Sequence, residues 1–307
     1  VIPKFIYMKK ILVVGGTGFI GYHVIQEAQK KKWKITSISL KKPNKNRYLK
    51  RVKYLLVNWI NYKSLKKKIT GDFDYVVNAG GYGKHMSFNE GGDEIFNSHY
   101  NGLLNLIKII PRRKLKRFIQ IGSSAEYGEA PAPQNEDFHC TPSSPYGLAK
   151  FAGTSLLKTL YSSQKYPAVI LRFFSVYGPK QDKNRVLPQI IDGCLKNKKF
   201  PVSKGNQYRD FCSVNDVVNA IFLSLNSKEV VGEIVNIGSG KPKKIKTVVK
   251  LVRKLIGKGK PQFGKIKYRE NENMKLFPSI QKARTKLKWK PKTSFIRGLK
   301  ITIESFK

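Results

Sequence analysis

The stretch "VVGGTGFIGYHV", residues 13–24, constrains the fold more than any other part of this chain. Gly15, Gly18 and Gly21 recur at every third position, with Gly16 among them but outside that spacing. They stand between a short apolar run, 11–14, and a segment that continues at helical spacing through Val24 and Ile25. The aliphatic run predicts a buried strand, and the spacing predicts a helix from near Gly18. Between the two, the backbone must turn tightly and come close to another group, and glycine permits both. A helix N-terminus exposes unpaired N–H groups and a partial positive charge, which suits a phosphate. Strand, glycine turn and helix together form the arrangement that holds a dinucleotide pyrophosphate. The expected cofactor-facing residues of this turn are Gly15, Thr17, Gly18, Phe19, Ile20 and Gly21.

The same alternation continues downstream. Ile35, Ile38 and Leu40 mark a second strand ending around Ser39, Lys41 and Lys42. Residues 49–69 read as a short strand and a helix. "FDYVVNAGG" is a buried strand whose end adds Asn78, Ala79 and Gly80 to the cofactor-facing candidates. A long helix is expected over 93–110, a strand over 115–124 and a helix over 144–163. "PAVILRFFSVYGP" reads as one strand leaving the sheet region, "VLPQIIDGCLKN" as a helix and "EIVNIGSG" as a strand. "IKTVVKLVRKLIGK" has the spacing of an amphipathic helix. Repeated strand–helix units predict an α/β fold, a Rossmann-like doubly wound parallel sheet. With 307 residues, 40% of them hydrophobic, the chain is long enough for that domain and a smaller mixed α/β substrate lobe. The expected division is 8–178 and 179–307, with strand 233–238 returning to the first domain. The lobe is expected over the carboxyl edge of the sheet, where ligands of such folds bind.

Composition excludes several classes. No apolar run reaches the roughly 18 residues of a membrane span. The opening "VIPKFIYMKK" lacks the apolar core of a signal peptide, and "MKKILVVGGTGFIG" reads as a complete first strand from Met8. Residues 1–7 are therefore taken as an extension outside the fold. Cys140, Cys194 and Cys212 lie far apart without a C-x-x-C, which suits a reduced cytoplasmic protein. His23, His85, His99 and His139 show no metal spacing, so no metal is expected. The formal net charge of +41 suggests nucleic acid. Its lysines, however, are spread along the whole chain and far outnumber the arginines that make bidentate base contacts. The charge reads first as a composition bias on a solvated surface, with no nucleic acid expected; the weaker functional reading is a positive field that attracts anionic substrates or an anionic membrane surface.

The chemistry sits in "SSAEYG", 123–128, and "SPYGLAK", 144–150. Tyr146 and Lys150 are one helical turn apart on a common face. An ammonium beside a phenol favours the phenolate, whose ordinary pKa is about 10. Such a tyrosine can exchange a proton with a sugar hydroxyl or ketone. A serine ending the preceding strand can hydrogen-bond the same oxygen. Together with a nicotinamide, these groups make a site for hydride transfer.

Through the glycine spacing, "SSAEYG" and "SPYGLAK", the chain resembles the extended short-chain dehydrogenases/reductases, also called the NAD-dependent epimerase/dehydratase family. The likeness runs from Met8 to near the end. It implies Ser123 as the triad serine, Tyr146 as acid/base and Lys150 as its partner. In "NQYRDFCSVNDV" it implies Arg209 as a contact of the nucleotide diphosphate and Asp216 as structural. In "YRENE" it implies Arg269 as a second phosphate contact, and paired guanidinium forks match phosphate oxygens.

Departures from the family pattern refine the expectation. Sugar dehydratases carry Asp-Glu after the triad residue, whereas this chain has Ser124 and Ala125, so dehydration is not expected. Ser124 becomes a substrate-side candidate. Ser175 stands where many epimerases carry an asparagine on the nucleotide sugar. At the end of the second strand, Ser39 replaces the acidic residue of NAD-preferring members, with Lys41 and Lys42 close behind. That favours NADPH over NAD(H). A looser likeness, in "NAGGYGKH" and "RENENMKLFPSIQKARTKLKWKP", points to reductases of the CDP-abequose-synthase type. The leading expectation is reduction of the 4-keto group of a nucleotide-linked deoxysugar for surface-polysaccharide (O-antigen) synthesis. The alternative is a nucleotide-sugar 4-epimerase with bound NAD, and the distant one a non-catalytic basic binding protein. Family members often dimerise through two helices including the Tyr-Lys helix, and "FAGTSLLKTLY" carries an apolar face for that.

Overall fold

The structure, a computed structural model, describes residues 7–81, 86–268 and 272–307. Its first half alternates strand and helix: β1 (Lys10–Val14), α1 (Phe19–Lys30), β2 (Lys34–Ser39), β3 (Val52–Leu56), α2 (Tyr62–Lys68), β4 (Tyr75–Asn78), α3 (Gly92–Ile109), β5 (Arg117–Ser123), α4 (Pro145–Gln164) and β6 (Ala168–Phe173). Shorter elements follow: β7 (Ser175–Tyr177), α5 (Val186–Leu195), β8 (Lys199–Val202), β9 (Tyr208–Arg209), β10 (Phe211–Ser213) and α6 (Val214–Asn226). The chain closes with β11 (Ile234–Ile237), β12 (Lys243–Lys244), α7 (Ile245–Ile256), β13 (Lys260–Phe263), β14 (Lys275–Leu276), α8 (Gln281–Thr285) and α9 (Phe295–Glu304).

A seven-stranded sheet runs in the order β11-β6-β5-β4-β1-β2-β3. β1 pairs in parallel with β2 and β4, β2 with β3, and β4 with β5. Strand order reverses between β1 and β4, which makes their carboxyl ends the switch point of a doubly wound fold. Strands covered on both faces need near-continuous apolar runs rather than alternation. Accordingly, 11–14 of β1 and all of β4 and β6 are buried. "PAVILRFFSVYGP" forms two strands rather than one: β6 stays in the main sheet, and β7 pairs in parallel with β10.

The chain divides into two compact units, each built from three stretches. The first unit holds the residues up to Ile121 with 144–170 and 224–233, and the second holds 122–143, 171–223 and 234–307. In the second unit, Ile190 and Ile191 of α5, Val248, Val249 and Val252 of α7, and Leu299 and Ile303 of α9 share one core. Its small sheets are β12-β9-β14 and β13-β8 beside the β10-β7 pair.

The fold starts before Met8. Tyr7 donates to Asp74 Oδ2 at 2.9 Å, and the Lys10 N–H reaches the same oxygen at 2.8 Å. Among the described residues, no helix is long and apolar enough to cross a membrane.

Candidate active site

The glycine turn lies at the switch point. Gly15 has φ +75° and donates its N–H to Ile38 O at 2.8 Å. A Cβ there would stand 2.7 Å from Ala79 O and 2.9 Å from Gly80 Cα, so the turn presses directly on the end of β4. A Cβ on Gly21 would lie 2.2 Å from Gly15 O, so α1 packs flush against the turn. Gly18 caps α1, and a Cβ on it would meet only Gly15 O, at 3.1 Å. The mouth of the helix is therefore open at Gly18. α1 has no side-chain cap and no acidic residue in its first turn. Its first N–H groups, at Phe19 and Ile20, lack intrahelical partners by construction. This cradle of bare backbone donors fits the pyrophosphate of a nicotinamide dinucleotide. Gly16, outside the regular spacing, has a packing role: its Cβ would fall 2.3 Å from Ser37 Oγ.

The expected ribose-side residues support the turn. The Ser39 hydroxyl donates to Ile38 O at 2.7 Å and accepts the Thr17 N–H at 3.3 Å. Arg47, which the sequence reading missed, is buried and donates to Thr17 O at 3.4 Å. Lys41 is exposed. At the end of β4, Asn78 donates to Gln120 Oε1 at 2.9 Å and accepts the Gly80 N–H at 3.2 Å. The Ala79 N–H reaches Val14 O at 3.0 Å, tying this strand end to β1.

Tyr146 and Lys150 lie in the first turns of α4. The Ser144 hydroxyl caps the helix by accepting the Gly147 N–H at 3.1 Å, and Pro145 pre-sets its first turn. Lys150 is 5% exposed. Its ammonium donates to Ile121 O in β5 at 2.8 Å and lies 5.8 Å from the centroid of the Tyr146 ring. A buried cation needs such a partner, and this one also fixes its direction. Tyr146 is half-buried, and the buried His99 of α3 meets its ring edge-on. His99 is a second residue that the sequence reading left unassigned.

Ser123 ends β5, two residues beyond the carbonyl that Lys150 holds. Its Oγ accepts the Ala125 N–H at 3.1 Å, and its own N–H donates to Glu126 Oε1 at 2.8 Å. The other Glu126 oxygen accepts from Arg172 Nε at 2.8 Å, and both side chains are fully buried. Burial alone would lower the Arg172 pKa, but the Glu126 carboxylate outweighs it and holds the guanidinium above its ordinary value. That guanidinium also covers the Tyr127 ring at 4.5 Å. Burial pushes the Tyr127 phenol up, and its hydroxyl donates to Asn236 Oδ1 at 2.8 Å. Ser124, half-buried, opens the short 3-10 turn after Ser123.

Of the residues expected on the substrate side, Ser175 lies in β7 and donates its N–H to Asp210 O at 3.0 Å. Arg209 of β9 is paired with Glu272 and donates to Tyr208 O at 2.7 Å. Asp216 accepts the N–H groups of Lys292 and Thr293, each at 3.0 Å, which is a structural role. Arg269 falls outside the described residues, as do 82–85 of the "NAGGYGKH" loop.

The profile of NAD dependent epimerases and dehydratases matches residues 11–238. The chain belongs to the NAD-dependent epimerase/dehydratase family. It is 30% identical to a putative UDP-glucose 4-epimerase of Methanocaldococcus jannaschii, over 97% of this chain and 98% of that protein. Its fold superimposes on the UDP-glucose 4-epimerase of Thermotoga maritima, solved with UDP-glucose, with a TM-score of 0.89. That pair is 25% identical and covers 97% of this chain and 98% of the other. The UDP-glucuronic acid 4-epimerase of Bacillus cereus, solved with UDP-glucuronic acid and NAD, gives a TM-score of 0.86 at 27% identity, covering 96% and 98%. As a member of the epimerase/dehydratase family, the chain is an NAD(P)-dependent enzyme of sugar nucleotides.

Proposed function

We propose that this chain carries out oxidation and reduction at C4 of a sugar held on a nucleoside diphosphate, as a 4-epimerase. The observation that carries the reading is the Tyr146–Lys150 pair, with the lysine buried and anchored on Ile121 O. The names of the relatives, 4-epimerases on UDP-sugars, support it. Ser124 and Ala125 argue against dehydration, since neither can work as a carboxylic acid or base. When bound, a nicotinamide supplies the ring that takes up and returns the hydrogen of C4. Tyr146 accepts the proton of the C4 hydroxyl and later gives it back. Lys150 supplies the positive charge that a tyrosinate requires. Because the Ala125 N–H occupies an acceptor site on Ser123 Oγ, the serine is disposed to donate to the sugar oxygen. Arg209, and Arg269 by family likeness, would hold the diphosphate.

A second reading keeps the same residues and makes the chain a 4-keto-sugar reductase consuming NADPH. One observation favours it: Ser39 presents no carboxylate against a 2′-phosphate, and Lys41, Lys42 and Arg47 follow it. The three free cysteines, all buried, accord with a reducing cytoplasm, and a homodimer through the helix of Tyr146 and Lys150 rests on the family likeness alone. A dimer is tested by light scattering. The experiment that tests the function incubates the protein with UDP-, dTDP-, GDP- and CDP-hexoses, and with 4-keto-6-deoxy sugar nucleotides plus NADPH or NADH. Interconversion of a hexose with its 4-epimer without net cofactor loss supports the epimerase. Stoichiometric loss of NADPH replaces it with the reductase, and neither activity overturns both readings.

A further inference from the structure

Three segments of the first unit meet at one side chain, the His99 imidazole. His99 is 6% exposed. Its ring and that of Tyr146 have centroids 5.2 Å apart and an interplanar angle of 75°, an edge-to-face contact. On another side, Gly81, with φ +106°, lies directly against the imidazole. A Cβ there would fall 2.1 Å from Cε1, 2.3 Å from Nδ1 and 2.6 Å from Nε2. Gly81 follows Gly80, at the cofactor-facing end of β4.

The helix carrying His99 is itself clamped. Trp59 Nε1 donates to Ser98 O at 2.9 Å, and a Cβ on Gly102 would strike the Trp59 ring at 2.2 Å. A Cβ on Gly92, at the start of α3, would stand 2.7 Å from Pro145 Cγ, the residue before Tyr146. The imidazole therefore stands on a fixed base, in edge-to-face contact with the Tyr146 ring. A phenol turns about two side-chain bonds, and the edge contact removes part of that freedom. Misplacing a reacting group by about 1 Å costs on the order of 100-fold in rate.

We propose that His99 is the positioning residue for Tyr146, holding the phenol ring edge-on and so directing its hydroxyl to the sugar. This rests on the reading of Tyr146 as the proton-exchanging group. The test uses the full chain with its nicotinamide cofactor and a turned-over sugar nucleotide, comparing His99→Ala, His99→Phe, Tyr146→Phe and His99→Ala/Tyr146→Phe. Their melting is checked first. His99→Ala is expected to lower kcat by about 10- to 100-fold, with KM and the cofactor dissociation constant held. The isotope effect of a C4-deuterated substrate should rise as that step becomes limiting. His99→Phe, which restores a ring edge, should recover turnover, and His99→Ala should add no loss to Tyr146→Phe. Unchanged kcat in His99→Ala overturns the proposal. So does a loss of cofactor affinity that matches the loss of turnover, or a folded His99→Phe as slow as His99→Ala. If Tyr146→Phe alone turns over like the wild type, the functional reading itself has failed, and the two failures are told apart.

Discussion

Glu126→Gln changes one atom and one charge at the support of Ser123. The amide oxygen can still accept the Ser123 N–H, as Glu126 Oε1 does at 2.8 Å. The amide nitrogen then faces Arg172 Nε, where a carboxylate oxygen now accepts at 2.8 Å. Two donors oppose each other, and the guanidinium, 1% exposed, loses its only carboxylate among the described residues. Its Nη1 already lacks a hydrogen-bond partner. Removing one partner of a buried ion pair costs about 3–5 kcal/mol. A domain has only about 5–15 kcal/mol in total. At about 2–4 °C per kcal/mol for a domain of this size, the melting temperature should fall by roughly 6–20 °C. Thermal melting followed by far-UV circular dichroism at pH 7 reads this directly. The apolar pair Glu126→Leu/Arg172→Met should recover most of the loss, since it leaves no buried charge. A Glu126→Gln melt within about 2 °C of wild type, well below the range expected from an unpaired buried charge, would show that Arg172 does not depend on the Glu126 carboxylate.

Other perturbations follow from the same contacts. Gly21→Ala drives a methyl toward Gly15 O, lifts α1 off the turn and should weaken cofactor binding by at least about tenfold, or ~1.4 kcal/mol; titration calorimetry checks it, and unchanged affinity counts against the cradle. Ser39→Asp should shift the ratio of NADPH to NADH affinity toward NADH, and a ratio that does not move removes the support for the reductase reading. Asp74 is held below the ordinary carboxylate range: burial raises its pKa, but the Lys10 N–H, Lys116 and Tyr7 outweigh it. A depressed folded pKa contributes stability above the unfolded value and loses it as pH falls through the folded one. Asp74→Asn should therefore melt earlier than wild type at pH 7, and the gap should close below about pH 4; a gap independent of pH contradicts this.

The sheet was legible in the sequence wherever burial on both faces forces an unbroken apolar run, as in 11–14, 75–78 and 168–173. α7 was legible from its single apolar face, Ile245, Val248, Val249 and Val252. β9, β12 and β14 were not, because two residues carry no period and their partners are distant, Lys243 with Arg209 and Lys275 with Tyr208. α6 was missed because Val214 follows β10 with no intervening cap or turn signal. The glycine turn and Tyr146–Lys150 could be read because their chemistry depends on local spacing. The contacts of His99, Arg47 and Glu126 depend on segments far along the chain. One signal was present: Arg172 is a lone cation in the buried strand "AVILRF", and such a residue demands an anion.

Proton exchange by Tyr146 during oxidation and reduction at C4 can be followed with a C4-deuterated sugar nucleotide. Wild type and Tyr146→Phe are incubated with it, and the product is read by NMR and mass spectrometry. Wild type is expected to invert C4 and keep the deuterium on that carbon, while Tyr146→Phe binds the substrate but forms little product. Deuterium washed into solvent, or full turnover by Tyr146→Phe, would contradict it.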